Sequence, residues 1–302
     1  EDATITAANI KTFDGYTIGT ITATNATTIT GSLSNLAAVF ASGEVSLPGA
    51  INVQFDAVAG ATAQNVTDLN AIVAATTGTV TGTLSGTAAI LDDLTSDAAS
   101  SATNVLTITV TNGATTAQVN TISVATTGSV TATVSDNDIA TLSGLSTDGT
   151  DAITVTVTDP SLAASTLTAL DGKTSVAVDA TAVATITGTV AEIKAVVDAA
   201  GITTAANYAA TASDSGLTTD INAIAADTLG IVTAEVSDTD IATLNILTTL
   251  GTDAITITVI GTGVAATDLT ALAGKTSVVV DASAVSSMTG SVTEINAVLT
   301  EV

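Results

Sequence analysis

Four close pairs of carboxylates, Asp92/Asp93, Asp136/Asp138, Asp148/Asp151 and Asp238/Asp240, are the densest groupings of reactive side chains in this sequence. Two carboxylates flanking a bond are the machinery of glycoside hydrolysis, and a cluster of oxygens is what a hard cation such as Ca2+ takes as ligands. Hydrolysis needs one unique pair in a cleft, with aromatic surfaces for a sugar. These pairs instead recur along a chain that has no Trp, two Tyr and three Phe. Recurrence points to a task performed once per repeat. The plain reading is that the acids cap helices, where the backbone dipole favours negative charge. The sharper reading is Ca2+ ligation, with Asp136, Asp138, Asp151, Asp238, Asp240 and Asp253 as candidate ligands. EF-hand spacing and the glycine-rich nonapeptide Ca2+ repeat are both missing.

Other chemistry is excluded by composition. Without Cys or His there is no thiol nucleophile, soft-metal ligand or imidazole base. The four cations are Lys11, Lys173, Lys194 and Lys275. Lys173 and Lys275 sit in matching "GKTS" turns, but a phosphate loop needs two glycines ahead of the Lys and opens a helix. Here "GKTS" follows a helical pattern and precedes a strand, so it reads as a turn whose lysine partners nearby acids. No catalytic set is left, and the expectation is that the protein is not an enzyme. A formal net charge of −25, from 29 acids against four lysines, excludes nucleic acid and anionic membrane surfaces as partners, since both demand Lys or Arg for phosphates. No apolar run is long enough to insert into a bilayer. The chain opens on Glu1 with no basic or apolar leader, the pattern expected of a processed or partial chain. Asn25-Ala-Thr27 and Asn65-Val-Thr67 match the glycosylation sequon.

The elements that carry these residues are repeated. Val134–Val197 aligns without a gap on Val236–Leu299, 102 residues later, with about two-thirds of positions identical. The repeat units run over 32–133 (partial and diverged), 134–235 and 236–302 (partial), in a single array over 1–302. Within them, short alternating stretches such as "ITVTV" (153–157) and "ITITV" (255–259) recur every 22–30 residues or so. Helix signals follow the strands. "TVAE" (189–192) and "SVTE" (291–294) are capping boxes, Asp159-Pro160 reads as a helix start, and Gly172 and Gly274 read as helix stops. Val66, Leu69, Ile72 and Val73, or Ile193, Val196 and Val197, fall at helical spacing. Stacking such coils, each a strand, a cap, two to three turns of helix and a glycine turn, gives an α/β solenoid; the alternative is an all-β parallel solenoid. Thr79/Thr81, Thr107/Thr109, Thr131/Thr133, Thr154/Thr156, Thr185/Thr187 and Thr256/Thr258 are then expected in two columns on the outer face.

The pattern "ATLxxL…TDAITVTV…LTAL.GKTSV" resembles the Ala/Thr/Asp-rich repeats of giant exported surface-layer, adhesin and haemolysin-like proteins of cyanobacteria and other aquatic bacteria. That resemblance implies an extracellular or cell-surface structural protein. Its partners are copies of itself, met through solenoid ends or edge strands in a filament or surface layer. The alternatives are the rod or binding region of a Ca2+-dependent adhesin that contacts cell-surface glycans, and an ice-binding array of threonines. No catalytic residue is implied.

Overall fold

The computed structural model describes residues 3–301, a mixed α/β protein in which short strands and helices alternate and no sheet closes into a barrel. The chain divides into two compact units, one running to Val155 with Gly172–Val176 added, the other made of Thr156–Asp171 and the residues from Ala177 onward. All strand pairs among the described residues are parallel.

In the first unit a seven-stranded sheet runs Thr4–Thr6, Thr28–Gly31, Asn52–Phe55, Thr79–Gly86, Thr103–Ala114, Val130–Val134 and Ala152–Thr154. Its spatial order is the chain order, so each strand–helix rung lies beside the next. Thr4 pairs with Thr28, and Thr28 with Asn52. Ile108 pairs with Val130, and Thr131 with Ala152. Parallel neighbours need a crossover connection. It is supplied by helices α1 (Ala7–Asp14), α2 (Leu33–Ala41), α3 (Ala63–Ala75), α4 (Ala88–Leu91), α5 (Thr116–Ser123) and α6 (Ile139–Leu142).

The second unit repeats the plan. A five-stranded sheet runs Ser161–Ala163, Thr185–Gly188, Ala209–Gly216, Val232–Val236 and Ala254–Thr256. Two-stranded ladders join Val178–Ala180 to Ile202–Thr204, Thr258–Gly261 to Asp281–Val285, and Val264–Ala265 to Met288–Thr289. The helices are α7 (Ala164–Asp171), α8 (Val190–Asp198), α9 (Thr218–Asp227), α10 (Ile241–Leu244), α11 (Ala266–Ala273) and α12 (Val292–Glu301).

Strand pleating puts alternate side chains on opposite faces. Ile153, Val155 and Val157 are accordingly buried while Thr154 and Thr156 are exposed. The helices bury the expected stripes: Val66, Leu69, Ile72 and Val73 on α3, and Val190, Ile193 and Val196 on α8. Thr189 and Glu192 exchange the two hydrogen bonds of a capping box, and Ser291 and Glu294 make the same reciprocal pair. A glycine at positive φ stands ahead of both of these caps and of the Ser32 cap of α2, at Gly188, Gly290 and Gly31 (156°, 149° and 144°). That conformation turns the chain from strand into helix, and L side chains rarely adopt it. The signature is visible as "TITG" or "SMTG" before a Ser or Thr.

Four expectations need correction. Asp159-Pro160 does not open a helix; the strand Ser161–Ala163 comes first and α7 begins at Ala164. Pro160 stands immediately before that strand, and its carbonyl accepts from Ala184 N and Thr185 N of the next rung. Helices α6 and α10 are one turn long, capped by Asp138 and Asp240 and closed by Ser143 and Asn245, rather than two or three turns. Lys275 Nζ donates to the carbonyls of Asn245 and Leu247, at 2.7 and 2.5 Å, rather than pairing with an acid. The threonines do not form two unbroken columns. Thr109 lies beside Thr131, but Thr131 lies beside Ala152 and Thr81 beside Val105. A bulge between Thr109 and Gly113 makes a further break by setting Thr133 beside Gly113, and a like bulge recurs between Thr211 and Ser215.

Candidate functional site

The six candidate Ca2+ ligands fall into three structural jobs, each performed once per copy of the repeat. Asp138 Oδ1 accepts the Thr141 N–H at 2.9 Å and Asp240 Oδ1 accepts that of Thr243 at 3.0 Å, so both cap their own short helices. The two carboxyls are held below the usual carboxylate range by those contacts with Thr141 and Thr243. Asp136 Oδ2 reaches back to the rung before and accepts the Thr116 N–H at the start of α5 (2.7 Å); Asp238 does the same for Thr218 and α9 (2.8 Å). Asn112 and Asp214 cap Ala88 and Val190 in this way too, one rung earlier. The 102-residue correspondence, legible in sequence from Val134 onward, therefore extends back at least to Ala88.

Asp151 and Asp253 are buried. Asp151 accepts from Val130 N (2.8 Å) and Ser123 Oγ (3.1 Å), Asp253 from Val232 N (2.9 Å) and Leu250 N (2.8 Å). A buried carboxylate is tolerated when its oxygens are satisfied in this way. Burial is the main influence on Asp151 and pushes its pKa up, reinforced by the charge of Asp148. Asp148 is replaced by Leu250 in the second copy. Among the described residues no three acids gather into a group that could hold a metal ion. Each of the six candidates already serves backbone or hydroxyl donors.

The residues that join one rung to the next were not singled out by sequence reasoning. Five buried threonines, Thr76, Thr126, Thr174, Thr228 and Thr276, each follow a helix and aim a hydroxyl at the preceding rung. Thr126 Oγ1 accepts from Leu106 N (2.7 Å) and Gly128 N (2.8 Å) and donates to Leu106 O (2.9 Å). Thr174 does the same with Ile153 N, Val176 N and Ile153 O, and Thr276 with Ile255 N, Val278 N and Ile255 O. The Thr of "GKTS" is thus the working residue of that motif, not the Lys. At Gly78, Gly128 and Gly230, two residues after three of these threonines, a Cβ would collide with the carbonyl of the rung before. The signal was present as a T-T-G, T-L-G or T-S-V after each of α3, α5, α7, α9 and α11.

Asparagines add a second tie. Asn120 Nδ2 donates to Gly144 O and its Oδ1 accepts from Ser146 N; Asn222 repeats both bonds with Ile246 and Thr248, and Asn70 with Asp93 and Thr95. Of the two sequons, Asn65 is engaged in the capping box of α3.

One surface remains apolar and uncovered. A groove of about 660 Å³ lies along the last rung, lined by Val279, Val280, Val285, Met288, Val298 and Leu299 among others. Val279, Val292 and Leu299 are 68, 77 and 67% exposed. No helix among the described residues is long and apolar enough to cross a membrane. No protein-family model, curated protein or solved structure matches this chain.

Proposed function

We propose that the chain is an α/β solenoid that serves as an extracellular structural protein and self-assembles through the uncovered faces of its rungs. The observation that carries this reading is the contrast between two copies of one rung. Val183, Ile186, Val190 and Ile193 are buried, whereas their counterparts 102 residues on, Val285, Met288, Val292 and Ile295, are partly or largely exposed. Clusters of exposed apolar side chains on a soluble surface mark interaction sites, and a repeat that buries its face only against a neighbour is completed by another rung of the same kind. The acids and hydroxyls support the same reading, because their hydrogen bonds are used in capping helices and joining rungs. Location outside the cell rests on the resemblance of the repeats to those of exported surface proteins.

Negative-stain electron microscopy of the purified chain, at low and moderate salt and with Ca2+ or a chelator, tests the proposal. Polymers or sheets are expected, favoured by added salt because copies of charge −25 repel. Loss of polymer on chelation would add Ca2+ to the reading as an assembly ligand. Monomers under all conditions would sink it.

A further inference from the structure

We infer that Asn112 is a site of spontaneous covalent change, deamidation through Gly113, and that the aspartate formed takes up a cap the repeat already builds. Four side chains reach back one rung to the first N–H of a helix: Asn112 to Ala88, Asp136 to Thr116, Asp214 to Val190 and Asp238 to Thr218. Asn112 and Asp214 are counterparts 102 residues apart, as are Asp136 and Asp238. Three of the four are carboxylates. The fourth is an amide, and it is the one asparagine of the sequence that precedes a glycine.

Deamidation needs the main-chain nitrogen of the following residue to reach the side-chain carbonyl carbon. A Cβ on that residue hinders the approach, and glycine removes the hindrance. The fold leaves the rest of the path open. Asn112 and Gly113 are exposed. Thr111 and Asn112 lie past the last pair with the preceding strand, Gly86 with Val110, and within the bulge on the other side, so neither is paired in register with a neighbouring strand. Asn112 Oδ1 accepts the Ala88 N–H at 2.8 Å. That bond draws charge from Cγ and stabilises the oxyanion that forms on attack. Asn70, Asn120 and Asn222 make the contrast: they sit on helices, hold both amide atoms in bonds to the next rung, and precede Ala71, Thr121 and Ala223.

The step balances with water as the only co-reactant. Gly113 N loses its proton and bonds to Asn112 Cγ, the Cγ–Nδ2 bond breaks, and ammonia leaves with that proton. Water then opens the cyclic imide at Cγ to give aspartate, or at the main-chain carbonyl to give isoaspartate. Only the aspartate leaves the main chain unchanged, and its carboxylate accepts the Ala88 N–H as a charge-assisted bond. Thr87 offers α4 no side-chain bond, so this cap matters more there than at α8, where Thr189 caps as well.

The test keeps the whole folded chain for weeks in mildly alkaline buffer and follows, by mass-spectrometric peptide mapping, the mass gained when an amide becomes an acid. Asn112 should gain it before any other asparagine. Gly113→Ala should slow the gain at least about 10-fold, because a Cβ then blocks the approach. That Cβ would meet Ser135 Cβ at 3.4 Å, an ordinary contact, so the variant keeps the fold. Asn112→Asp stands in for the product, and its urea midpoint should equal or exceed that of the wild type. A gain at Asn112 only when the chain is unfolded in urea would mean that the strand holds the site closed and would overturn the inference, as would an unchanged rate in Gly113→Ala. A midpoint of Asn112→Asp below the wild type would overturn the assignment of the product to the cap. All three readings are made on single chains, so they stand apart from whether copies assemble.

Discussion

The rung Val178–Val197 and the rung Val280–Leu299 share 12 of 20 residues and stand in two situations. In the first, Ile202, Ala210, Ile221 and Ile224 of the next strands and helix, and Tyr208 just ahead of one of those strands, are themselves buried. In the second no described rung follows, and Val292 goes from the 3% exposure of its counterpart Val190 to 77%. The secondary structure survives: α8 and α12 both form, each with its Glu three residues beyond a Ser or Thr cap. Local signals are thus enough to build a rung, and the neighbour decides whether its apolar face is core or surface.

The strongest way to break this comparison is to place a charge on each copy. Val190→Asp buries an unpaired carboxylate and should cost about 4 kcal/mol or more. Val292→Asp should change stability by no more than about 0.5 kcal/mol. Urea denaturation of the two variants reads the difference, and equal costs would refute the claim that the second face is uncovered.

Threonine ties should not show that asymmetry. Thr174 and Thr276 both reach back to a rung that is present, so Thr174→Val and Thr276→Val should each cost about 1–3 kcal/mol by leaving buried N–H groups unpaired. A cost at Thr276 well below that at Thr174 would mean that the last rung is only loosely joined. Hydrogen exchange sharpens the same point: the amides of Val292–Leu299 should exchange faster than those of Val190–Val197, since local opening follows the packing that resists it.

The smallest effects concern pH. Contacts with Ser291 hold the Glu294 carboxyl below the usual range. Its contribution is present above the ordinary carboxyl range and is lost as pH falls through the lowered folded value. Asp151 runs the other way. Its raised pKa means that the folded chain binds the proton more tightly, so stability declines as pH rises through the ordinary value toward the folded one. Asp151→Asn keeps an acceptor for Val130 N and removes the charge. Relative to wild type, its urea midpoint should improve as pH rises above the ordinary carboxyl range and level off beyond the raised folded value; a constant difference would show that burial of Asp151 is not felt as a charge.

Much of the architecture is readable in the residues because it is built from short-range rules. Capping boxes act over three residues, strands alternate over two, and Gly31, Gly188 and Gly290 announce their turns from "TITG" and "SMTG". The candidate acids were legible as a repeating set, and the helix-cap reading describes four of the six. Asp151 and Asp253 were harder to assign, because their partners Val130 and Val232 lie 21 residues away in sequence. The threonine ties escaped notice for the same reason: in a chain full of threonine, nothing local distinguishes Thr126 from Thr127, yet only Thr126 is buried against the preceding rung.

The sequence by itself determined that strands and helices alternate, which side chains share a face, and where the helices opened by capping boxes begin, since all of these are settled within a few residues. The tertiary structure alone decided the register of neighbouring rungs, the bulges that break the threonine columns, and which of two near-identical apolar faces is left open. Those outcomes depend on what lies one rung away, and two related stretches with the same caps and apolar spacing differ there in what is packed against them.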